Sequence, residues 1–152
     1  ISAHFSMIDK VVGNNYTNEP MAFLLEDSEI QEEIEPYIMA RIVDFEEFIR
    51  QYPFDIISIH DDLHFIIDDP IMECNCGDFS LRWDAAGDTI LERGGTRGET
   101  VRCDIQTLTA MFYGYKRPTY LKRVERLQAN DTAVRILEDI IPIEQPYFSD
   151  YF

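Results

Sequence analysis

The spacing of apolar residues along this chain alternates between two and three-to-four, and each switch predicts an element. Ile38, Ala40 and Ile42 alternate with Met39, Arg41 and Val43, which reads as a strand with one apolar face and one mixed face. Asp44 can cap a helix carrying Phe45, Phe48 and Ile49, and Pro53 ends that helix after Tyr52. Leu63 to Ile67 is a second strand, closed by Asp68-Asp69-Pro70. Phe79, Leu81 and Trp83 alternate with Ser80, Arg82 and Asp84, the clearest half-buried strand in the chain. Ala86-Gly87-Asp88 turns it back into Thr89 to Arg93 as a hairpin. Gly94-Gly95-Thr96-Arg97-Gly98 then turns again into Val101 to Cys103.

The stretch from Asp104 to Leu127 organises the C-terminal third. Asp104 is placed to cap a short helix whose apolar stripe is Ile105, Leu108, Met111 and Phe112. Gly114 stands where a helix end wants a left-handed residue. Pro118 suits the first turn of a second helix with apolar positions Leu121, Val124 and Leu127. A third helix, starting at Asn130 or Asp131, carries Ala133, Ile136, Leu137 and Ile140 and stops before Pro142.

Residues 1–27 read as fragments: the last turns of a helix, a weak strand broken by Gly13, and a short helix begun by Pro20. Residues 28–36, rich in glutamate, form a polar linker. The order strand, helix, further strands, then three helices predicts an α+β domain over 37–152. Its mostly antiparallel sheet is covered on one face by helices.

Composition narrows the function classes. The formal net charge is −16, and it is unevenly placed. Residues 104–152 hold six Lys/Arg against seven Asp/Glu, leaving seven basic and 22 acidic residues in the rest. Such a field repels phosphate backbones and anionic headgroups, which disfavours nucleic acid and membrane surfaces; it would attract polycations, or it is a solvated acidic face kept for solubility. No apolar run is long enough to span a bilayer, and no signal peptide is evident. Three cysteines, Cys74, Cys76 and Cys103, are an odd number and suggest a reducing, cytoplasmic setting with free thiols. The chain begins at Ile1 without an initiator methionine, so it is expected to be cut from a longer protein.

Candidate chemistry is sparse. There is no Walker loop, and Gly94 to Gly98 lacks dinucleotide-binding spacing. Cys74-Asn75-Cys76 has no second pair to complete a metal site. His60-Asp61-Asp62-Leu63-His64 could hold a divalent ion, or could be solvated polar residues where a turn enters a strand. The tail is more pointed. Tyr147, Phe148, Tyr151 and Phe152 crowd the last six residues, where a frayed terminus would carry few aromatics. If they pack, they either simply anchor the chain end or also fix the α-carboxylate for use. A carboxylate in a partly apolar setting has its pKa raised toward the range of a general base.

Met39-Ala-Arg-Ile-Val-Asp-Phe45 after an acidic linker, the Asp104-Ile-Gln-Thr-Leu helix with its Phe112-Tyr-Gly-Tyr115 exit, and the aromatic tail together resemble the C-terminal part of the Eis (enhanced intracellular survival) family of GNAT acetyltransferases. The resemblance implies two GNAT domains followed by a sterol-carrier-protein-like domain. Residues 1–27 are then the end of a GNAT domain and 37–152 the sterol-carrier-like one. It implies acetyl transfer from acetyl-CoA to amines of aminoglycoside, lysine or polyamine type, with acetyl-CoA held in the missing N-terminal domain and no cofactor in this chain. It also implies homo-oligomerisation, contact with the missing GNAT domains, and a catalytic base at the C-terminal carboxylate, which here belongs to Phe152. From its charge and position, Asp150 is expected to help bind the cationic amine. The competing readings are a lipid-binding module, with Met39, Phe65, Ile67, Phe79, Trp83, Met111 and Phe112 lining a cavity, and a purely structural domain.

Overall fold

A computed structural model describes residues 12–13, 30–34, 39–55, 61–144 and 146. The chain divides into two compact units, and the elements described here belong to one of them, Met39–Pro146. Its elements are helix α1 (Phe45–Gln51), strand β1 (Leu63–Asp68), a short 3-10 turn (Glu73–Asn75), and strands β2 (Gly77–Trp83), β3 (Thr89–Arg93) and β4 (Glu99–Asp104). Helices α2 (Ile105–Phe112) and α3 (Pro118–Arg123), strand β5 (Gln128–Ala129) and helix α4 (Asp131–Ile140) complete it.

The five strands form one sheet in the order β3-β2-β1-β4-β5, giving an α+β fold. Period-two alternation sorts the side chains between its faces. Leu63, Phe65 and Ile67 of β1, Phe79 and Leu81 of β2, and Val101 and Cys103 of β4 are buried in the same core as the helix residues Phe45, Ile49, Leu108, Met111, Leu121, Ile136, Leu137 and Ile140. Phe45 stands edge-on to both Phe79 and Phe65, with centroids at 5.0 and 5.8 Å. Rings at such spacing gain about 0.5–1.5 kcal/mol beyond their area burial. The helices therefore cover one face, as the sequence predicts.

Two strand expectations need correction. Residues 39–43 are not a strand. The Ile42 N–H donates to the Thr109 hydroxyl at 3.2 Å and the Val43 carbonyl accepts from Asn75 Nδ2 at 3.1 Å. Side chains have taken the backbone groups that a ladder would need. Met39 is fully exposed, so it lines no cavity. Nor does β4 follow β3 as a hairpin: it pairs parallel to β1, with Leu63 opposite Glu99 and Asp68 opposite Asp104.

The 94–98 segment makes that crossing possible. Gly98 has φ +110°, and a Cβ there would lie 2.3 Å from the Asp62 carbonyl. Only glycine lets the chain pass this close before the Glu99 N–H bonds the Asp62 carbonyl at 2.8 Å. Ser80 anchors the same loop, donating to the Arg97 carbonyl and accepting from the Arg97 N–H, both at 2.8 Å.

The three-helix reading holds with one adjustment. Asp104 accepts from the Thr107 N–H at 2.7 Å, Gly114 has φ +72°, and Asn130 accepts from the Ala133 N–H at 2.8 Å. Helix α3, however, ends at Arg123, and Val124 is exposed. Glu125 turns left-handed at φ +60°, and the N–H groups of Arg126 and Leu127 both bond the Leu121 carbonyl. Leu127 thus enters the core from beyond the helix.

Candidate functional site

The sequence places the chemistry at the end of the chain, and Asp150, Phe152 and the neighbouring Tyr147, Phe148 and Tyr151 lie outside the described residues. Described instead is the end of helix α4 and the residues just after it. Helix α4 stops where Ile141 and Pro142 succeed it. A helix end leaves its last carbonyls without partners in the helix. Here Arg117 supplies donors at and just beyond that end. Its Nη2 donates to the Glu138 carbonyl at 2.8 Å, and its Nη1 donates to those of Ile141 and Pro142 at 2.9 and 3.1 Å. The Asp55 N–H takes the Ile140 carbonyl at 2.9 Å.

The fourth Arg117 contact is a carboxylate. Nε donates to Glu138 Oε2 at 2.8 Å, while the other oxygen, Oε1, accepts from the Thr119 N–H at 2.8 Å. Partial burial of Glu138 would raise its pKa, but the Thr119 N–H and the Arg117 guanidinium outweigh this and hold the carboxyl below its ordinary value. Arg117 precedes Pro118, so its backbone is held extended, with ψ 151°. One side chain thus joins the start of α3 to the end of α4. Beside it, Tyr52 donates its hydroxyl to the Phe112 carbonyl at 2.8 Å. Burial pushes that phenol up to about 12; Arg117 pulls it down and Asp55 adds to it.

A second polar cluster sits where the chain enters the domain. Asp69 is 4% exposed. Its Oδ1 accepts from the N–H groups of Ile71 and Met72 at 3.0 Å and from the Arg41 guanidinium, and its Oδ2 accepts from Asn75 Nδ2 at 2.8 Å. Burial would raise the carboxyl; the bonds from Asn75, the two amides and Arg41 overcome it and hold it far below the carboxylate range. Asn75 also accepts from the Phe45 N–H at 2.9 Å, which ties the first turn of α1 into the cluster. The Arg41 and Asp44 of the sequence signature therefore have structural employment: an ion pair to Asp69 and a helix cap, with Asp44 accepting from the Glu47 N–H at 3.0 Å.

The other candidates do not assemble into a catalytic centre. His64 and Ser80 are cross-strand partners, and His64 Nε2 lies 2.8 Å from Asp78 Oδ1, so the three residue types of a hydrolase triad stand together. The Ser80 hydroxyl donates to the Arg97 carbonyl, however, and is not offered to the histidine. His60 lies outside the described residues. Among the described residues no group of three or more His, Cys, Asp or Glu is gathered to hold a metal ion. Cys74 is exposed, Cys76 half-buried and Cys103 buried, all as free thiols. Among the described residues no helix is long and apolar enough to cross a membrane.

Acetyl-CoA finds no cradle in the glycine-rich loop. The amides of Gly94, Gly95 and Arg97 are committed to Asp78, Glu92 and Ser80, and Cβ positions at Gly95 and Gly98 already meet Ser80 and Asp62. That loop does not fit a phosphate chain. Sequence reasoning missed Arg117, Asp69 and Asn75. The Asp68-Asp69-Pro70 run was legible only as a strand end, and nothing local marks Arg117 apart from the proline after it.

The family described as sterol carrier protein domain matches residues 45–149. A conserved protein of unknown function from Enterococcus faecalis V583, described as a probable N-acyltransferase, is 30% identical over 90% of this chain with a TM-score of 0.76. A GCN5-related N-acetyltransferase from Anabaena variabilis ATCC 29413 is 24% identical over 87% of the chain, TM-score 0.63. Another from Kribbella flavida is 22% identical over 91%, TM-score 0.61. These two share the fold. The chain spans only 34%, 33% and 35% of these proteins, in that order. No curated protein matches it in sequence.

Proposed function

We propose that this chain, which belongs to the sterol carrier protein domain family, is the C-terminal domain of an acetyl-CoA-dependent N-acetyltransferase acting on amines. We further propose that its terminal carboxylate, on Phe152, is the general base. The observation that carries the reading is the likeness to the Enterococcus faecalis protein: 90% of this chain aligns with about a third of a chain described as a probable N-acyltransferase.

Such a partition gives the chain a limited task. The acyl donor is held by the part of the protein that precedes it. This chain supplies groups that act on the amine. An amine is protonated at neutral pH and must shed that proton before it attacks an acyl carbon. The Phe152 carboxylate accepts the proton, and Asp150 holds the remaining positive charge of the substrate. The net charge of −16 concentrates polycationic amines of the aminoglycoside and polyamine kind near the molecule.

Support for a lipid carrier is weaker. Phe65 and Phe112 pack ring against ring at 6.2 Å, and Phe45 fills the space between Phe65 and Phe79. A bound tail would have to displace these rings.

The test is acetyl-CoA turnover by the whole gene product with and without Phe152, using spermidine and an aminoglycoside. Removing or relocating a general base costs about 10²–10⁴-fold. Deletion of Phe152 is therefore expected to lower kcat by that order. Turnover undiminished by the deletion sinks the assignment. Bound lipid recovered from the purified protein would favour the carrier reading instead.

A further inference from the structure

We infer that the corner between α2 and α3 is a docking surface for the acidic body of a second copy of this chain. The inference is independent of the base assignment, since no residue of the tail takes part in it.

The charge of the chain is split along its length. Residues 115–126 hold five Lys/Arg against one Asp/Glu, while residues 39–103 hold six against 14. The corner is a basic island in an acidic chain. Three of its cations are answered close by: Arg117 by Glu138, Lys122 by Asp131 and Arg126 by Asp104. Lys116 and Arg123 pair with no carboxylate among the described residues, and each lies over a ring. Lys116 Nζ is 4.5 Å from the Tyr115 centroid and 5.3 Å from that of Tyr120, and the Arg123 guanidinium is 5.2 Å from Tyr120. A ring face attracts a cation without neutralising it, so both charges stay open to an outside carboxylate.

The same rings are exposed. Tyr113, Tyr115, Tyr120 and Val124 are 41, 60, 39 and 42% exposed. Large apolar side chains scattered singly over a surface need no explanation, but here four fall within twelve residues. Tyrosine and arginine are the types enriched at the centres of protein interfaces. The corner is also held in shape before anything docks. Gly114 turns at φ +72°, the Lys116 N–H bonds the Ala110 carbonyl at 3.1 Å, and the Leu121 N–H bonds that of Arg117 at 3.0 Å. A surface fixed in advance loses little freedom on binding.

Charge selects both the occupant and its orientation. Two corners face to face would oppose their cations, and two acidic bodies would oppose their carboxylates. Corner against body pairs opposite charges, and residues 39–103 of another copy supply the carboxylate excess. Such a contact joins two different patches, so it is head-to-tail and builds a ring or a filament. The net charge of −16 on each copy opposes approach from afar, but salt screens it beyond about 8 Å under physiological conditions. Local pairing then decides.

The experiment uses the whole gene product. Sedimentation velocity over a dilution series compares wild type with Lys116→Glu, Arg123→Glu and, as a control, Arg102→Glu. The control changes net charge by the same amount as Arg123→Glu, at an exposed position on β4 outside the corner. Each corner substitution is expected to weaken self-association about 30-fold, the size of an interface hot spot, and the control less than about twofold. Melting temperatures should not move. A second measurement needs no substitution: equal parts of ordinary and heavy-nitrogen protein are treated with a carbodiimide, which joins a lysine amine to a carboxylate in contact with it. Mixed-isotope peptides linking Lys116 to an Asp or Glu of residues 39–103 are expected. A monomeric wild type, indifference to both corner substitutions, or an equal loss from Arg102→Glu overturns the inference. So do Lys116 links confined to single-isotope peptides, which would place the corner against another part of its own chain. Where a corner variant melts early, or the wild-type assembly resists dilution, the cross-link decides.

Discussion

Two arginines hold this domain at opposite ends of its chain, and they do so in different dielectric settings. Arg41 reaches Asp69, whose carboxylate has no exposed surface and is also held by two amides and an asparagine. Arg117 reaches Glu138, whose carboxylate is about a quarter exposed, and spends its other donors on backbone carbonyls. The first cluster is a structural keystone: the acceptor is buried, so losing any donor leaves charge without solvation. The second is partly wet, so its loss is cushioned by water.

The largest test of that contrast is Asp69→Ala. Breaking a buried pair costs about 3–5 kcal/mol, and this change also strands the amides of Ile71 and Met72 and the Asn75 side chain. Denaturant unfolding should show a loss of that order; a loss under about 1 kcal/mol would erase the distinction. Arg117→Gln should cost less in the same assay, about 1–2 kcal/mol, since hydrogen bonds of this kind contribute about 0.5–1.5 kcal/mol net. If it proves as damaging as Asp69→Ala, the two clusters do not differ in the way their exposure implies.

Acid titration sharpens the comparison. Both carboxyls are lowered on folding, so each contributes stability above its unfolded value near 4 that is lost as pH falls through the folded value. Asp69 is held the lower of the two, far below the carboxylate range. The stability gap between wild type and Asp69→Asn should therefore shrink as pH drops below about 4, and the remaining loss should come from groups such as Glu138 and Asp104. A gap that stays constant down to about pH 2 contradicts the assignment. On the alkaline side Tyr52 and Cys103 are each raised to about 12 by burial. Their contribution is complete below the unfolded values near 10 and 8.5 and fades as pH rises toward 12.

The smallest effects lie at the helix caps. Asp44→Ala at the start of α1 and Asn130→Ala at the start of α4 each remove one side-chain acceptor, worth about 1 kcal/mol. Similar values in both places, read as melting-temperature shifts, would show that the two regions differ in their buried charge and not in their helices.

Much of this architecture was legible because its signals are local. Asp104, Gly114, Pro118 and Asn130 each dictate a backbone conformation at their own position, and the apolar stripe of α4 is buried residue for residue. The parallel neighbour of β1 was not legible: Leu63 and Glu99 meet across a crossover, and pairing of that range leaves no trace in periodicity. The 39–43 segment misled because alternation describes a face to bury and says nothing about who takes the backbone hydrogen bonds. Here Thr109 and Asn75 do, from far along the chain. The polar clusters were hidden for the same reason. Asp69 and Arg117 look like a turn residue and a surface cation until their partners come together in space.

The crossing at Gly98 also bears on biosynthesis. As the polypeptide leaves the ribosome, β1, β2 and β3 can zip into a meander at once, since each pairs with its successor. One flank of β1, the run Leu63-His-Phe-Ile-Ile67, then stays bare until Glu99–Asp104 emerges and slides in alongside it. An apolar strand with an open flank is the form most prone to stick to another nascent chain. Translation slowed between the codons for residues 93 and 104 should therefore lower the soluble yield of this domain more than the same delay placed after residue 129.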